Sequence, residues 1–246
     1  MQATWNYPRL IAHRGAGKLS PENTLSAMRT GKKHGYSMVE YDVKLSADDV
    51  PFLLHDDTLD RTTDGNGDAG IQPYSSLALL DAGSWHSQSY AGEAVPSLRA
   101  IARYTQACDI ISNVEIKPSP GREHETGVKV ALAVQALWKN SAVPPLLSSF
   151  SEISLAAAAQ AAPDLPRGLL LENELPHDWI ARANSYGCVS VHLDNKIVQP
   201  HMVQAAHEAG LRLAIWTVND PERARQLTEW GVDAIITDAL DRIDPA

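Results

Sequence analysis

The sequence predicts an α/β protein whose eight parallel strands close into a (β/α)8 barrel. Three observations point there. Eight short apolar runs alternate with amphipathic stretches of helical period, the pattern of a parallel sheet with helical crossovers. The chain has 246 residues, close to the roughly 250 that such a barrel needs. Its composition, 44% hydrophobic, supplies a sizeable core. An open doubly wound sheet is the rival arrangement.

Taken in order, the expected strands are Arg9–His13, Met38–Val43, Ile111–Ile116, Leu146–Ser149, Gly168–Leu171, Val189–Leu193, Leu211–Val218 and Ala234–Thr237. The expected helices are Asn23–His34, Leu98–Cys108, Val128–Lys139, Glu152–Ala162, His177–Tyr186, His201–Ala209 and Pro221–Trp230. Their punctuation agrees. Pro221 stands at a helix entry, and Gly35, Gly187, Gly210 and Gly231 follow helix ends.

One run breaks the alternation. Pro51–Leu54 is strand-like but follows Met38–Val43 by too few residues for a parallel crossover, which takes a dozen or more. It must return antiparallel after a turn near Ala47–Asp49, which carries His55 to the level of Glu40 and Asp42. The next stretch, Asp56 to about Pro96, is rich in Gly, Asp, Ser and Thr and weakly periodic. An unstructured loop of that length is unusual in a compact domain. It reads as a small insertion subdomain (56–96) within a single barrel domain spanning 1–246.

Composition excludes several classes. A net charge of −9 argues against nucleic acid or an acidic membrane surface as a partner. No stretch approaches the roughly 18 apolar residues of a membrane span, and MQATWNYPRL lacks the pattern of a signal peptide. Two distant cysteines, Cys108 and Cys188, demand no oxidising compartment. The expectation is a cytoplasmic protein, monomer or homodimer, acting on a small molecule.

Polar residues gather at the carboxyl ends of the expected strands, where barrel active sites lie. His13 and Arg14 follow the first strand, Glu40 and Asp42 lie on the second, Glu115 and Lys117 on the third, and His55 joins from the hairpin. Residues two apart on a strand share a face, so three carboxylates would meet. Uncompensated, they repel one another and shift toward protonation. A divalent cation relieves that cost, and oxygen ligands suit Mg²⁺, Ca²⁺ or Mn²⁺, with Mg²⁺ first. Each motif alone has a plainer reading: Glu-x-Asp as a solvated strand face, Glu115–Lys117 as an ion pair, either histidine as structural. Together they describe a cationic pocket with two proton carriers, suited to phosphodiester cleavage.

The fragments AHRGAGKLSPENT (Ala12–Thr24), EYDVKLSADDVPFLLHDDTLDRTT (Glu40–Thr63), GSWHSQSYAGEAVPSL (Gly83–Leu98), NVEIKP (Asn113–Pro118), WTVN (Trp216–Asn219) and DAIITD (Asp233–Asp238) resemble, in order, the glycerophosphodiester phosphodiesterase family, its cytoplasmic bacterial members above all. The resemblance implies a barrel of the PLC-like phosphodiesterase type. It also implies hydrolysis of glycerophosphocholine, glycerophosphoethanolamine and similar diesters to sn-glycerol 3-phosphate and an alcohol, through a cyclic 1,2-phosphate. By position it makes Glu40, Asp42 and Glu115 metal ligands, His13 and His55 the acid–base pair (His13 as base), and Arg14 and Lys117 the phosphate contacts. Trp216 is a candidate for the glycerol pocket or for core, Asn23 for metal-site support or a helix cap, and His192 for the mouth or a structural place. The other enzymes weighed are a phospholipase acting on membrane lipids and a barrel isomerase. A non-catalytic sensor of glycerophosphodiesters is the alternative outside enzymes.

Overall fold

Short β-branched and aliphatic runs become strands because both of their faces are covered. The structure, a computed structural model, describes residues 5–245; Met1–Thr4, on which part of the leader reading falls, lie outside the described residues. Nine strands occur among them: β1 (Leu10–Ala12), β2 (Met38–Leu45), β3 (Pro51–Leu53), β4 (Ile111–Ile116), β5 (Leu146–Ser149), β6 (Arg167–Leu171), β7 (Ser190–Asp194), β8 (Arg212–Trp216) and β9 (Ala234–Thr237). Eight are parallel, and pairing of β1 with both β2 and β9 closes them into the expected barrel. β3 pairs antiparallel with β2, with Val43 opposite Leu53, so the spacing argument for a hairpin holds.

The helices between strands are α1 (Leu25–Lys33), α2 (Tyr74–Leu77), α3 (Leu98–Ala107), α4 (Glu123–Leu137), α5 (Glu152–Ala161), α6 (Trp179–Ser185), α7 (Pro200–Glu208) and α8 (Pro221–Glu229). Most begin and end within two residues of expectation. α4 differs, starting at Glu123 rather than Val128. Gly127 in its first half reads as a breaker, but its role is close helix packing. A Cβ there would lie 2.4 Å from the Ser154 carbonyl oxygen and 2.9 Å from the Ala157 Cβ on α5. Gly127→Ala would gain about 1 kcal/mol of helix propensity, yet overpacking against rigid backbone costs about 1–3 kcal/mol. The expected outcome is net destabilisation, read as a lower denaturant midpoint at unchanged slope.

An apolar layer floors the barrel below the polar one. Ile11, Met38, Leu146, Ala214 and Ile236 form one buried cluster. The first four stand two residues before His13, Glu40, Ser148 and Trp216, which line the pocket. Polar groups therefore stand on an apolar plug at the carboxyl end. Between β3 and α3 the chain folds over this end on its own apolar cluster, which includes Phe52, Leu54, Leu59, Leu77 and Val95.

Candidate active site

The turn His13–Gly15 ends β1 and aims two functional side chains. Arg14 adopts a left-handed conformation (φ 50°, ψ 30°) and Gly15 follows at φ 93°. This conformation costs a non-glycine residue of order 1 kcal/mol. It turns the Arg14 N–H to donate to Glu40 Oε2 at 2.9 Å. Gly17 passes so close to Asp238 that any Cβ would meet its backbone. The glycines of HRGAG thus let the turn settle against α1 at Gly15 and against the residue after β9 at Gly17.

In the β2–β4 register, Asp42 pairs with Glu115 and Glu40 with Asn113. Ligand oxygens of Glu40, Asp42 and Glu115 consequently lie within 4.8 Å of one another. Their exposures are 3%, 1% and 8%. Asn23 holds Asp42 by side chain and backbone: its amide donates to the carboxylate Oδ2 at 2.8 Å, and its Oδ1 accepts from the Asp42 backbone N–H at 3.0 Å. The helix cap is Thr24, whose hydroxyl accepts from the Ala27 N–H. Of the two readings for Asn23, support of Asp42 is the one the contacts bear out.

Each histidine is fixed through Nδ1. His13 Nδ1 lies 2.6 Å from Asp238 Oδ1, and Asn219 braces that carboxylate by donating to Oδ2 at 3.0 Å. His55 Nδ1 lies 2.7 Å from Asp56 Oδ1. A carboxylate accepts, so Nδ1 carries the proton in both rings and Nε2 is the atom turned to chemistry. Lys117 donates to Glu115 Oε1 at 2.9 Å and lies 3.1 Å from His55 Nε2 and 3.6 Å from Asp42. Arg14 Nε sits 3.5 Å from Asp42 Oδ2.

Electrostatics separate the carboxylates. Burial, then the charges of Asp42 and Glu115, push Glu40 up to about 8. Burial and Asp42 push Glu115 up to about 7. Burial works on Asp42 in the same direction but is outweighed by Arg14, Lys117 and His55, which hold it below its ordinary range. Glu40 Oε1 is buried without a hydrogen-bond partner. An orphaned buried oxygen beside two further carboxylates fits the hard oxygen donor set of a divalent cation.

One pocket of about 110 Å³, open at its mouth, is lined by residues that include His13, Arg14, Glu40, Asp42, His55, Glu115, Lys117 and Trp216. The structure therefore brings these eight candidate side chains together. Trp216 meets Phe150 edge-on at 5.4 Å, and Lys117 stands over the Phe150 ring. His192 does not reach the mouth; it is fully buried, takes Ser190 Oγ at 3.0 Å, and burial pushes it down to about 4. Sequence reasoning assigned nothing to Asp238, Asn219, Asp56, Glu22 or Phe150. The only signal for the first two was their presence in the fragments DAIITD and WTVN.

Residues 13–242 match the Glycerophosphoryl diester phosphodiesterase family. A glycerophosphodiester phosphodiesterase of Caldanaerobacter subterraneus subsp. tengcongensis is 33% identical over 231 residues, covering 93% of each chain. Among solved structures, an Oleispira antarctica phosphodiesterase in complex with the product sn-glycerol-3-phosphate superposes with a TM-score of 0.90 at 33% identity, over 96% of this chain and 95% of that one. The Agrobacterium tumefaciens glycerophosphodiester phosphodiesterase gives 0.82 at 27%, over 96% and 98%. The described residues contain no helix long and apolar enough to cross a membrane. With the family profile spanning nearly the whole barrel, the chain belongs to the glycerophosphodiester phosphodiesterase family.

Proposed function

We propose that the protein hydrolyses glycerophosphodiesters such as glycerophosphocholine and glycerophosphoethanolamine to sn-glycerol 3-phosphate and an alcohol. The carrying observation is the convergence in one pocket of three buried carboxylates, two histidines anchored through Nδ1, and two cations. The product named for the Oleispira relative supports the same reading.

Glu40, Asp42 and Glu115 would hold one divalent cation, Mg²⁺ first, with Ca²⁺ or Mn²⁺ meeting the same oxygens. Bound there, it would offset negative charge developing on the phosphoryl oxygens. Arg14 and Lys117 hold the phosphate from the cavity wall. His13 Nε2 takes the proton of the substrate's glycerol 2-hydroxyl as that oxygen attacks phosphorus, and Asp238 stabilises the imidazolium that forms. His55, which enters the step as imidazolium with protons on both nitrogens, gives its Nε2 proton to the departing alcohol and is left neutral. The result is a cyclic 1,2-phosphate, which water then opens with the proton roles reversed. Intramolecular attack favours this route because the nucleophile is already held beside phosphorus. Trp216 and Phe150 supply an apolar wall for the glycerol carbons. The leaving alcohol makes no necessary contact, so diesters of different alcohols should all serve.

Release of sn-glycerol 3-phosphate from glycerophosphocholine, measured with and without chelator, tests this reading, and ³¹P spectra should reveal the cyclic species. Undiminished activity after thorough chelation would defeat it.

The cation also predicts a pH linkage. Glu40 and Glu115 titrate higher in the folded protein than unfolded, so without metal their protons add stability that is complete below the ordinary carboxylate range. That stability disappears as pH rises through about 7 and about 8. The metal must displace those protons. The rise in thermal midpoint on adding saturating Mg²⁺ should therefore grow from about pH 5 to about pH 8. A rise independent of pH over that window would exclude these carboxylates as the ligands.

A further inference from the structure

The insertion carries an arginine whose position exceeds any structural need. Arg61 lies in LDRTT just past the hairpin, and its guanidinium grips two carboxylates at once. Its Nη1 and Nη2 donate to Glu22 Oε2 and Oε1 at 2.8 and 2.7 Å, and its Nε and Nη2 donate to Asp56 Oδ2 and Oδ1 at 2.6 and 3.0 Å. Both acceptors are already committed to the pocket. Glu22 Oε1 accepts from Arg14 Nη1 at 2.7 Å, and Asp56 Oδ1 holds His55 Nδ1 at 2.7 Å. One planar group thus joins the carboxylate that aims Arg14 to the carboxylate that aims His55.

We infer that Arg61 is a positioning residue that sets the separation of the phosphate-binding arginine and the histidine at the leaving group, through Glu22 and Asp56. The inference rests on the proposed glycerophosphodiester hydrolysis. Arg14 comes from the end of β1 and His55 from the end of β3, and neither strand fixes the reach of the other's side chain. The fork-shaped guanidinium does, because two bidentate contacts define a plane and a distance that a lysine ammonium cannot reproduce. Further contacts from the insertion, His86 Nε2 to the Lys18 carbonyl at 3.0 Å and Tyr90 OH to Ser20 Oγ at 2.8 Å, anchor the loop leading into Glu22.

Magnitudes separate positioning from scaffolding. The Arg61 side chain is 45% exposed and Asp56 is 28% exposed. The Arg61–Asp56 pair, so open to water, contributes about 0–1 kcal/mol to stability, and Glu22, 13% exposed, keeps Arg14 as its partner at 2.7 Å when Arg61 is removed. Misplacing a reacting group by about 1 Å can cost about 10² in rate. Arg61 should therefore be felt in turnover far more than in folding.

The test compares wild type, Arg61→Ala, Arg61→Lys, Arg14→Ala and the Arg14→Ala/Arg61→Ala double variant on glycerophosphocholine, with thermal midpoints recorded for each. Arg61→Ala should lose about 10² in kcat/KM with its midpoint nearly unchanged. Arg61→Lys, which keeps the charge and secures folding, should stay well below wild type. Guanidinium ion at sub-denaturing concentration should restore part of the Arg61→Ala loss, whereas ammonium should not. The loss should also shrink in the Arg14→Ala background, since one of the two linked groups is already gone. Wild-type activity in Arg61→Lys or Arg61→Ala, or an equal fold-loss in both backgrounds, would overturn the inference. An inactive wild type would instead overturn the proposed function.

Discussion

Replacing His13 by alanine should lower kcat on glycerophosphocholine by about 10²–10⁴-fold, the usual worth of a positioned proton carrier. The side chain has one free nitrogen for chemistry, because Asp238 occupies Nδ1 and Asn219 in turn holds Asp238. Removing the imidazole leaves Asp238 still bonded to Asn219 at the edge of an open pocket, so stability should fall by no more than about 1 kcal/mol. His55→Ala should show a loss of similar size. The two variants part company when the leaving group needs no proton. With the p-nitrophenyl ester of glycerol phosphate, His55→Ala should regain most of its activity, while His13→Ala should remain impaired. Equal recovery of both would reverse or dissolve the assignment of His13 as base. Activity of either single variant within a few-fold of wild type on glycerophosphocholine would remove it from the chemistry.

Glu40→Gln should do two opposite things. Loss of one ligand charge should cut metal-dependent turnover by about 10²–10³-fold, comparable to removing one preorganised electrostatic contact. The metal-free protein should become more stable. Gln keeps the volume and can still accept the Arg14 N–H through its carbonyl oxygen, but it no longer repels Asp42 and Glu115. Wild-type Glu40 must take up a proton or bear that repulsion as pH rises above the ordinary carboxylate range. The gain should therefore widen from about pH 5 to about pH 8 and then level off. Each kcal/mol corresponds to about 2–4 °C in thermal midpoint for a protein of this size. A loss of metal-free stability would mean that the Glu40 carboxylate supports the fold and not a cation.

Much of this site could be read from spacing. Glu40 and Asp42, and Glu115 and Lys117, share faces because strand side chains alternate, and the short gap before Pro51 required a hairpin that brings His55 back. The first turn of α4, over 123–127, holds no apolar residue that would mark its period, and the place of Gly127 in it is explained only by α5 packed against it. Asn23 precedes a helix and so imitates a cap, although the adjacent Thr24 performs that role. Asp238 lies 225 residues from His13, and Arg61 lies 39 from Glu22. No periodicity links such pairs.

The linear chain by itself determined which side chains face inward and at which strand ends they stand, since alternation and element length are local properties. Only the closed barrel decided their electrostatics. Placing Asp42 beside Glu115 across β2 and β4, with the carboxylates of Glu40, Asp42 and Glu115 all buried, turns separate charges into one interacting group. Charge interactions depend on distance and on surrounding dielectric, and both are set by register and burial.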